Sequence, residues 1–478
     1  MVFSSSIFLV VFLPLFLVIY NLLPKVLNLK NIFILLSSIL FYSWGGPKFI
    51  FVILGVTLLD FILVGQVYKH RDNKKQKLVF LCMSLALNLG LLFYFKYFNF
   101  FIDNLNALTS VFGANTIIVG KILLPIGISF YTFESITYAV DVYRGVHAPL
   151  KNFWEYQLYI IYFPKLIAGP IVRYHHISDQ IQNHIEHETV NNKLQGFTQF
   201  CVGLSKKVLI ANVMGSQADA IMNMDPAQLN TAATWIGAIA YTFQIYFDFS
   251  GYSDMAIGLG KMMGFFLPEN FNNPYVSGSI TEFWRRWHMT LGAWMKNYLY
   301  IPLGGNRVSA SRLYLNLAIV FLASGLWHGA SWNFVIWGAF HGLFLILDRM
   351  FLLKVLDKIG RIPSVIITFF IVVVGWVIFR IEDIHKLGLY LHKMFAFDFD
   401  PHGSIATNND FDYLVYVAAF FSFFMLIPKS GLVHDKIFYA NYNKAQLIGF
   451  SVVACALYFV CLMYVSGSAY NPFIYFKF

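Results

Sequence analysis

The sequence predicts an all-α, polytopic membrane protein, and three observations carry that prediction. Of its 478 residues, 58% are hydrophobic and only 12% charged, with a mean hydropathy of +0.63, outside the range of ordinary soluble domains. Several runs of about 17 to 20 apolar residues can each cross a hydrocarbon core of roughly 30 Å. The segments between them are too short for a soluble domain, so residues 1–478 are expected to form a single membrane-embedded domain. It should hold about 11 to 12 transmembrane helices, with re-entrant and interfacial helices among them.

The formal charge of +10 does not imply a nucleic-acid partner, because the Lys and Arg residues sit in short loops between apolar runs, where they set orientation. Cys82, Cys201, Cys455 and Cys461 lie scattered in apolar context, with neither a disulfide framework nor a metal-ligand spacing. The N-terminal apolar stretch lacks a basic n-region and a small-residue cleavage site, and is read as a retained first span, Ser4 to Tyr20.

Residues 31–44 and 49–67 are the next spans, separated by the turn signal Trp44-Gly45-Gly46-Pro47. The loop 69–77, KHRDNKKQK, carries five Lys or Arg, which assigns it to the cytoplasm and the N-terminus to the outside. Residues 78–95 cross outward, 96–115 form an aromatic interfacial segment, and 116–140 cross back. Glu134, buried among aromatic residues there, is read as a hydrogen-bonding strut, with a pathway role as the alternative. Residues 156–172 are interrupted by Pro164, Lys165, Gly169 and Pro170 and predict a re-entrant segment lining a cavity. YHHISDQIQNHIEHE, residues 174–188, is read as a solvated polar loop, with metal ligation the weaker reading and no metal expected. Residues 208–222 and 232–250 form a further pair of crossings. Asp248 and Asp254 follow among glycines and are read as helix caps, with a donor pocket as the alternative.

The chemistry concentrates between Thr281 and Gly342, where His288, His328 and His341 stand in an apolar field. Ionisable side chains at membrane depth are costly and point to function. Trp284, Trp287, His288, Leu291 and Met295 follow helical spacing and share a face, with Glu282 and Arg286 an i, i+4 pair on the other. Arg285, Arg286 and Lys296 give this amphipathic helix a cytoplasmic side. Residues 313–347 are one apolar run that would measure ~52 Å as a single helix, too long for one span. GLWHGASWN, residues 325–333, is the natural break, and basic residues flank both ends, so the break faces outward. His328 is therefore expected in a turn sunk below the outer face, flanked by Gly325 and Gly329. There a neutral imidazole suits general-base chemistry. His341 is explained at least as well by helix packing through Gly338 and Gly342.

These stretches, FWRRWH and SGLWHGASW with LPIGISFYTFESITYAVDVYRG, FPKLIAGPIVR, DFSGYSDMAIGLGKMMGF and YLYIPLGGNR, resemble the membrane-bound O-acyltransferase family. Within it they resemble the bacterial branch of alginate O-acetyltransferase and the peptidoglycan O-acetyltransferase membrane subunit. The resemblance runs over nearly the whole chain, to the FIYFKF end. It implies helices around a central tunnel, an essential catalytic histidine at His328 and a second functional position at His288. It also implies acetyl-CoA as cytoplasmic donor, no permanently bound cofactor, and an extracytoplasmic partner acetyltransferase with a polysaccharide acceptor. Trp327, Trp284, Trp287, Arg285, Asn333, His341, Glu134 and Asp248 are the candidate supporting or tunnel-lining residues. The acceptor leans slightly to peptidoglycan, with alginate second. D-alanyl transfer to teichoic acid is the neighbouring chemistry, and a transporter using Glu134, Asp248 and the histidines is the competing class.

Beyond this region, residues 364–379 cross outward and 380–410 form the longest outer loop, a docking surface for a partner. Residues 411–427 and 447–465 complete the crossings, and the C-terminus is expected outside.

Overall fold

In the computed structural model, which describes residues 2–113, 115–400, 403, 405, 407–467 and 470–474, every regular element among the described residues is a helix. Among the described residues, seven helices are long and apolar enough to cross a membrane alone. The other crossings expected from the sequence fall on helices that are shorter, broken or more polar. The chain packs as two compact units, Met1–Lys193 with Leu259–Pro268, and Leu194–Gly258 with Glu269–Phe478.

In the first unit, a wide turn at Phe8–Phe12 runs straight into α1 (Leu13–Leu22), so Pro14 lies inside a continuous helical stretch. Helix α2 (Leu27–Gly45) stops at Gly46, and α3 (Phe49–Lys69) follows. Asn73 caps α4 (Lys74–Leu92) by accepting from the N–H groups of Lys75 and Gln76, both at 3.2 Å. The chain does not stop where the interfacial segment was expected to begin. One wide turn at Phe93–Tyr97 leads straight into α5 (Phe98–Ser110), so Lys74–Ser110 is a continuous stretch of 37 residues. No proline interrupts it, and the aromatic residues continue the helix at no cost.

The crossing expected over 116–140 becomes helical only at α6 (Ile128–Arg144). Pro125 and Gly127 precede it. Gly127 has φ 76°, and a Cβ there would meet the Leu166 carbonyl oxygen at 2.6 Å. The re-entrant segment consists of α7 (Phe153–Ile161) and tight turns through Gly169. Lys165, in those turns, is fully buried against the Glu134 carboxylate, which also accepts from the Val172 N–H at 3.4 Å. Glu134 is thus a strut tying the broken backbone to α6.

The stretch read as a polar loop is instead a helix, α8 (Tyr174–Asn183), followed by a single turn at His184–His187. Tyr174, Ile177 and Ile181 form its buried stripe, and His184 and Glu188 are buried as well. Glu188 accepts from Lys30 at 2.6 Å and from the Tyr20 hydroxyl at 2.7 Å, so its charge is matched internally. Among the described residues, no group of three His, Cys, Asp or Glu is placed to hold a metal ion.

The second unit begins at Leu194, within α9 (Val190–Ser205), and continues through a wide turn at Lys206–Ala211 into α10 (Asn212–Met222). These pack on α11 (Thr231–Met262), a helix of 32 residues, ~48 Å long. Asp248 and Asp254 lie in its middle, so neither is a cap. Each instead meets a lysine of the wide turn: Lys207 to Asp248 and Lys206 to Asp254, both at 2.6 Å. Gly203 and Gly251 let the two backbones approach until a Cβ on either would strike the other's carbonyl oxygen. Short helices α12 (Ile280–Arg286) and α13 (Met289–Met295) lead to the pair α14 (Ala310–His328) and α15 (Trp332–Leu347).

After α16 (Leu353–Ile359) comes α17 (Arg361–Arg380). The long loop after it contains α18 (Ile384–Met394), capped by Asp383. Residues 401, 402, 404 and 406 of that loop, and the last four of the FIYFKF end, lie outside the described residues. Helices α19 (Asn409–Phe423), α20 (Ser430–Phe438) and α21 (Lys444–Gly467) complete the unit.

Candidate active site

The through-helix expected from Thr281 to Tyr298 is broken at its most interesting residue. Helix α12 starts at Ser279, whose hydroxyl accepts from the Glu282 N–H at 3.1 Å, while the Glu282 carboxylate accepts from the Gly278 N–H at 2.8 Å. This reciprocal arrangement is close to a capping box. Glu282 also pairs with Arg286 at 3.0 Å, the i, i+4 partner the spacing predicted, and with Arg361 at 2.7 Å. The helix then ends at Arg286, and His288 takes φ 44° and ψ 52°, a left-handed conformation. Residues other than glycine rarely adopt it, and such outliers cluster at functional sites.

Asn270 holds that turn. Its backbone oxygen accepts from the Met289 N–H at 2.9 Å. Its side-chain oxygen accepts from the Thr290 hydroxyl at 2.9 Å and from His288 Nδ1 at 3.1 Å. Because Nδ1 donates, Nε2 of His288 is the free-lone-pair nitrogen, and it meets no hydrogen-bonding group of the protein although the residue is only 1% exposed. The Phe249 ring packs on the imidazole with centroids 4.6 Å apart.

The break in the long apolar run falls where its length required. Helix α14 ends at His328, three residues turn the chain, and α15 begins at Trp332. The glycines serve helix contact. A Cβ on Gly325 would strike the Phe334 carbonyl oxygen, one on Gly329 the Phe334 ring, and one on Gly338 the Phe321 carbonyl oxygen. Asn333, wholly buried, donates to the carbonyls of Phe379 at 3.0 Å and Ile378 at 3.3 Å, and accepts from Ser331. It ties the turn to α17.

His328 is 6% exposed. Its Nδ1 lies 2.7 Å from the Ser324 carbonyl oxygen, one helical turn back. A carbonyl only accepts, so Nδ1 carries the proton and Nε2 presents its lone pair. The ring is boxed by Trp327 at 4.9 Å, Trp337 at 5.0 Å and Phe379 at 5.4 Å.

The three histidines share one aromatic cluster. Trp327 touches both His288, at 5.9 Å, and His328; Trp337 touches both His328 and His341, at 5.0 Å each. Trp284 packs on His341 at 5.0 Å, and Trp287 packs on Trp376 at 4.6 Å. His341 is fully buried, and neither ring nitrogen meets a hydrogen-bonding group of the protein. Gly375 makes room for it: a Cβ there would stand 2.7 Å from His341 Nε2. Arg285 does not join the cluster and is exposed. Asp248 is engaged by Lys207 and by the Ile474 N–H at 2.8 Å, and Glu134 belongs to the other unit.

Asn270, Phe379 and Gly375 were missed from the sequence. Asn270 stands in LPENFNNPY, where asparagine reads as turn chemistry, and nothing in that spacing connects it to a histidine 18 positions later.

Comparison with known proteins gives the family of the chain. The model of the membrane-bound O-acyltransferase family (MBOAT) matches residues 146–378, which contain all three histidines. The chain is 39% identical to a protein named probable alginate O-acetylase AlgI from Pseudomonas putida over the full length of both. It is 44% identical to the Pseudomonas aeruginosa protein of the same name, covering 83% of this chain and 75% of the relative. To the peptidoglycan O-acetyltransferase of Helicobacter pylori it is 31% identical over 100% of this chain and 98% of the relative. The chain belongs to the membrane-bound O-acyltransferase family and is an acyltransferase.

Proposed function

We propose that the protein transfers acetyl from cytoplasmic acetyl-CoA to a hydroxyl of an extracytoplasmic polysaccharide, with His328 as general base and His288 acting on the donor side. The observation that carries this reading is the Nδ1–H of His328 bound to the Ser324 carbonyl, which makes Nε2 the nitrogen that carries the basic lone pair. In the step envisaged, the acceptor hydroxyl gives its proton to Nε2 as its oxygen attacks the thioester carbonyl. The C–S bond then breaks, and the departing thiolate takes the proton back from the imidazolium.

The basic loops support a multi-pass protein of the bacterial cytoplasmic membrane with its N-terminus outside. Residues 380–410 are the surface on which an extracytoplasmic partner acetyltransferase would dock. Two named relatives point to alginate and one, at lower identity, to peptidoglycan. This moves weight toward a uronate chain and away from the slight lean to peptidoglycan. Against a transport pathway stands the state of its required acids: Glu134 and Asp248 are each matched by a buried lysine.

The test is transfer of labelled acetyl from acetyl-CoA to polysaccharide by the purified protein with its partner. His328→Ala should lower the rate by about 10²–10⁴-fold, the usual worth of a positioned base. Transfer that survives this substitution removes His328 as base, and no transfer from acetyl-CoA by the native protein removes the donor assignment.

A further inference from the structure

The end of α17 and the start of α19 both meet the end of α10: Arg380 donates to Asp219 at 2.7 Å, and the Asn408 N–H donates to the Gln217 side-chain oxygen at 3.3 Å. Helix α21 runs back to that same end. A cleft of about 530 Å³ opens there, lined by α10, the start of α19 and the end of α21. That volume is in the range of small-molecule sites, roughly 300–1,000 Å³.

Its polar wall consists of Asn212, Ser216, Asn408, Asp410, Tyr470 and Asn471, and the remainder is mainly valine and methionine. Asn212 and Ser216 are one helical turn apart and so share a face of α10. Asn212 donates to Asn471 at 3.4 Å, while its own side-chain oxygen meets no hydrogen-bonding group of the protein. Tyr470 is a fixed part of the wall, since its hydroxyl sits where a Cβ on Gly215 would be 3.1 Å away.

The cleft is tied to the histidine centre. The Tyr470 hydroxyl donates to Asp219 at 2.8 Å, and Asp219 accepts from Arg380 at 2.7 Å. Arg380 follows Phe379, whose ring packs on His328. The cleft thus stands at the same end of the fold as the proposed base.

The chemistry of the wall selects its ligand. Amides and hydroxyls both donate and accept, and tyrosine adds an apolar face with a polar tip. Among the described residues, no lysine or arginine lines the cleft and one carboxylate does, so a phosphate headgroup or a polyanion finds no counter-charge in that wall.

We infer that this cleft is a glycan-binding site on the acceptor side, which recognises an uncharged, hydroxyl-rich and amide-bearing sugar chain. The inference rests on the acetyl-transfer reading and narrows its acceptor. It runs against the weight that sequence identity gives to a uronate chain, which makes it decidable.

The experiment uses the full-length protein in detergent and measures binding by calorimetry, with no acetyl donor present. The probes are a water-soluble tetramer of N-acetylhexosamine and a tetramer of hexuronic acid, each at low and high salt. The neutral tetramer should bind the tighter of the two, and its affinity should change by less than about twofold with salt, as no ion pair is screened. Ser216→Phe, at an exposed position, fills the cleft and should weaken binding about tenfold or more by exclusion. Asn212→Leu, similar in size, should weaken it in the same direction if the phenylalanine variant fails to fold. Binding of neither tetramer, tighter binding of the uronate, or unchanged binding by well-folded variants would each overturn the inference. Because binding is read without a donor, any of these outcomes sinks this inference alone, and the labelled-acetyl assay, run separately with the donor, still tests the enzymatic reading.

Discussion

At His288 the backbone has been placed where an L-residue is uncomfortable, at a cost of about 1–2 kcal/mol. The bonds to Asn270 offset that cost and aim the imidazole. Replacing the residue two ways separates backbone from side chain. His288→Gly and His288→Ala both remove the ring, but only glycine relieves the φ of 44°. The glycine variant should therefore be the more stable by about 1 kcal/mol, read as a higher thermal unfolding midpoint in detergent. Inside a continuous helix the order would reverse, since glycine there is worse than alanine by about 0.5–1 kcal/mol. An alanine variant that melts higher would therefore contradict the turn. The histidine itself was legible in the sequence, because a titratable group in an apolar field stands out. Its turn was not: the modest enrichment of histidine in the left-handed region is too weak to break a helical pattern, and the asparagine that enforces the turn lies in another loop. The break beside His328 was legible because it follows from the length of the apolar run, which is a sum over the sequence.

Elements separate along the same line. The break between α14 and α15 follows from arithmetic that no packing detail can overturn: a run of that length cannot cross once, and its ends are both basic. The continuity of α4 into α5 and the late start of α6 depend on which side chains find partners, and alternate readings of an aromatic segment look alike in one dimension. The helix pair also makes a prediction. Gly325 faces the Phe334 carbonyl oxygen and Gly338 the Phe321 carbonyl oxygen, each closer than a Cβ permits. Gly325→Ala should thus force α14 and α15 apart, costing about 1–3 kcal/mol as overpacking does. Because His328 ends α14, acetyl transfer should fall with it. Gly55→Ala is the control, since on α3 nothing lies within 4 Å of the added carbon. There alanine should raise stability by up to about 1 kcal/mol through helix preference alone. Equal effects of the two substitutions on the unfolding midpoint would refute the close contact.

Across the whole molecule the charges fall into two populations. Those in the loops flanking apolar runs stand out in the sequence at once. Among those inside, three are ion pairs, Lys30 with Glu188, Lys165 with Glu134 and Lys207 with Asp248, joining residues 158, 31 and 41 positions apart, while Asp60 is held instead by Ser84, Asn88 and Tyr156. Such pairing cannot be read from spacing, and it is why Asp248 was taken for a cap and Glu188 for part of a solvated loop. The pairs also carry a test of how this membrane protein uses buried charge. Removing one partner leaves the other unmatched in a low-dielectric interior, which costs about 3–5 kcal/mol, whereas replacing both by apolar residues of similar size is often neutral. Glu134→Gln should therefore lower the unfolding midpoint sharply, and Glu134→Leu with Lys165→Met should restore most of it. If Glu134 is a strut, the double variant should also keep acetyl transfer within a few-fold of the native rate. A double variant that folds normally yet transfers no acetyl would show that the pair serves the reaction, and would return Glu134 to the list of pathway residues.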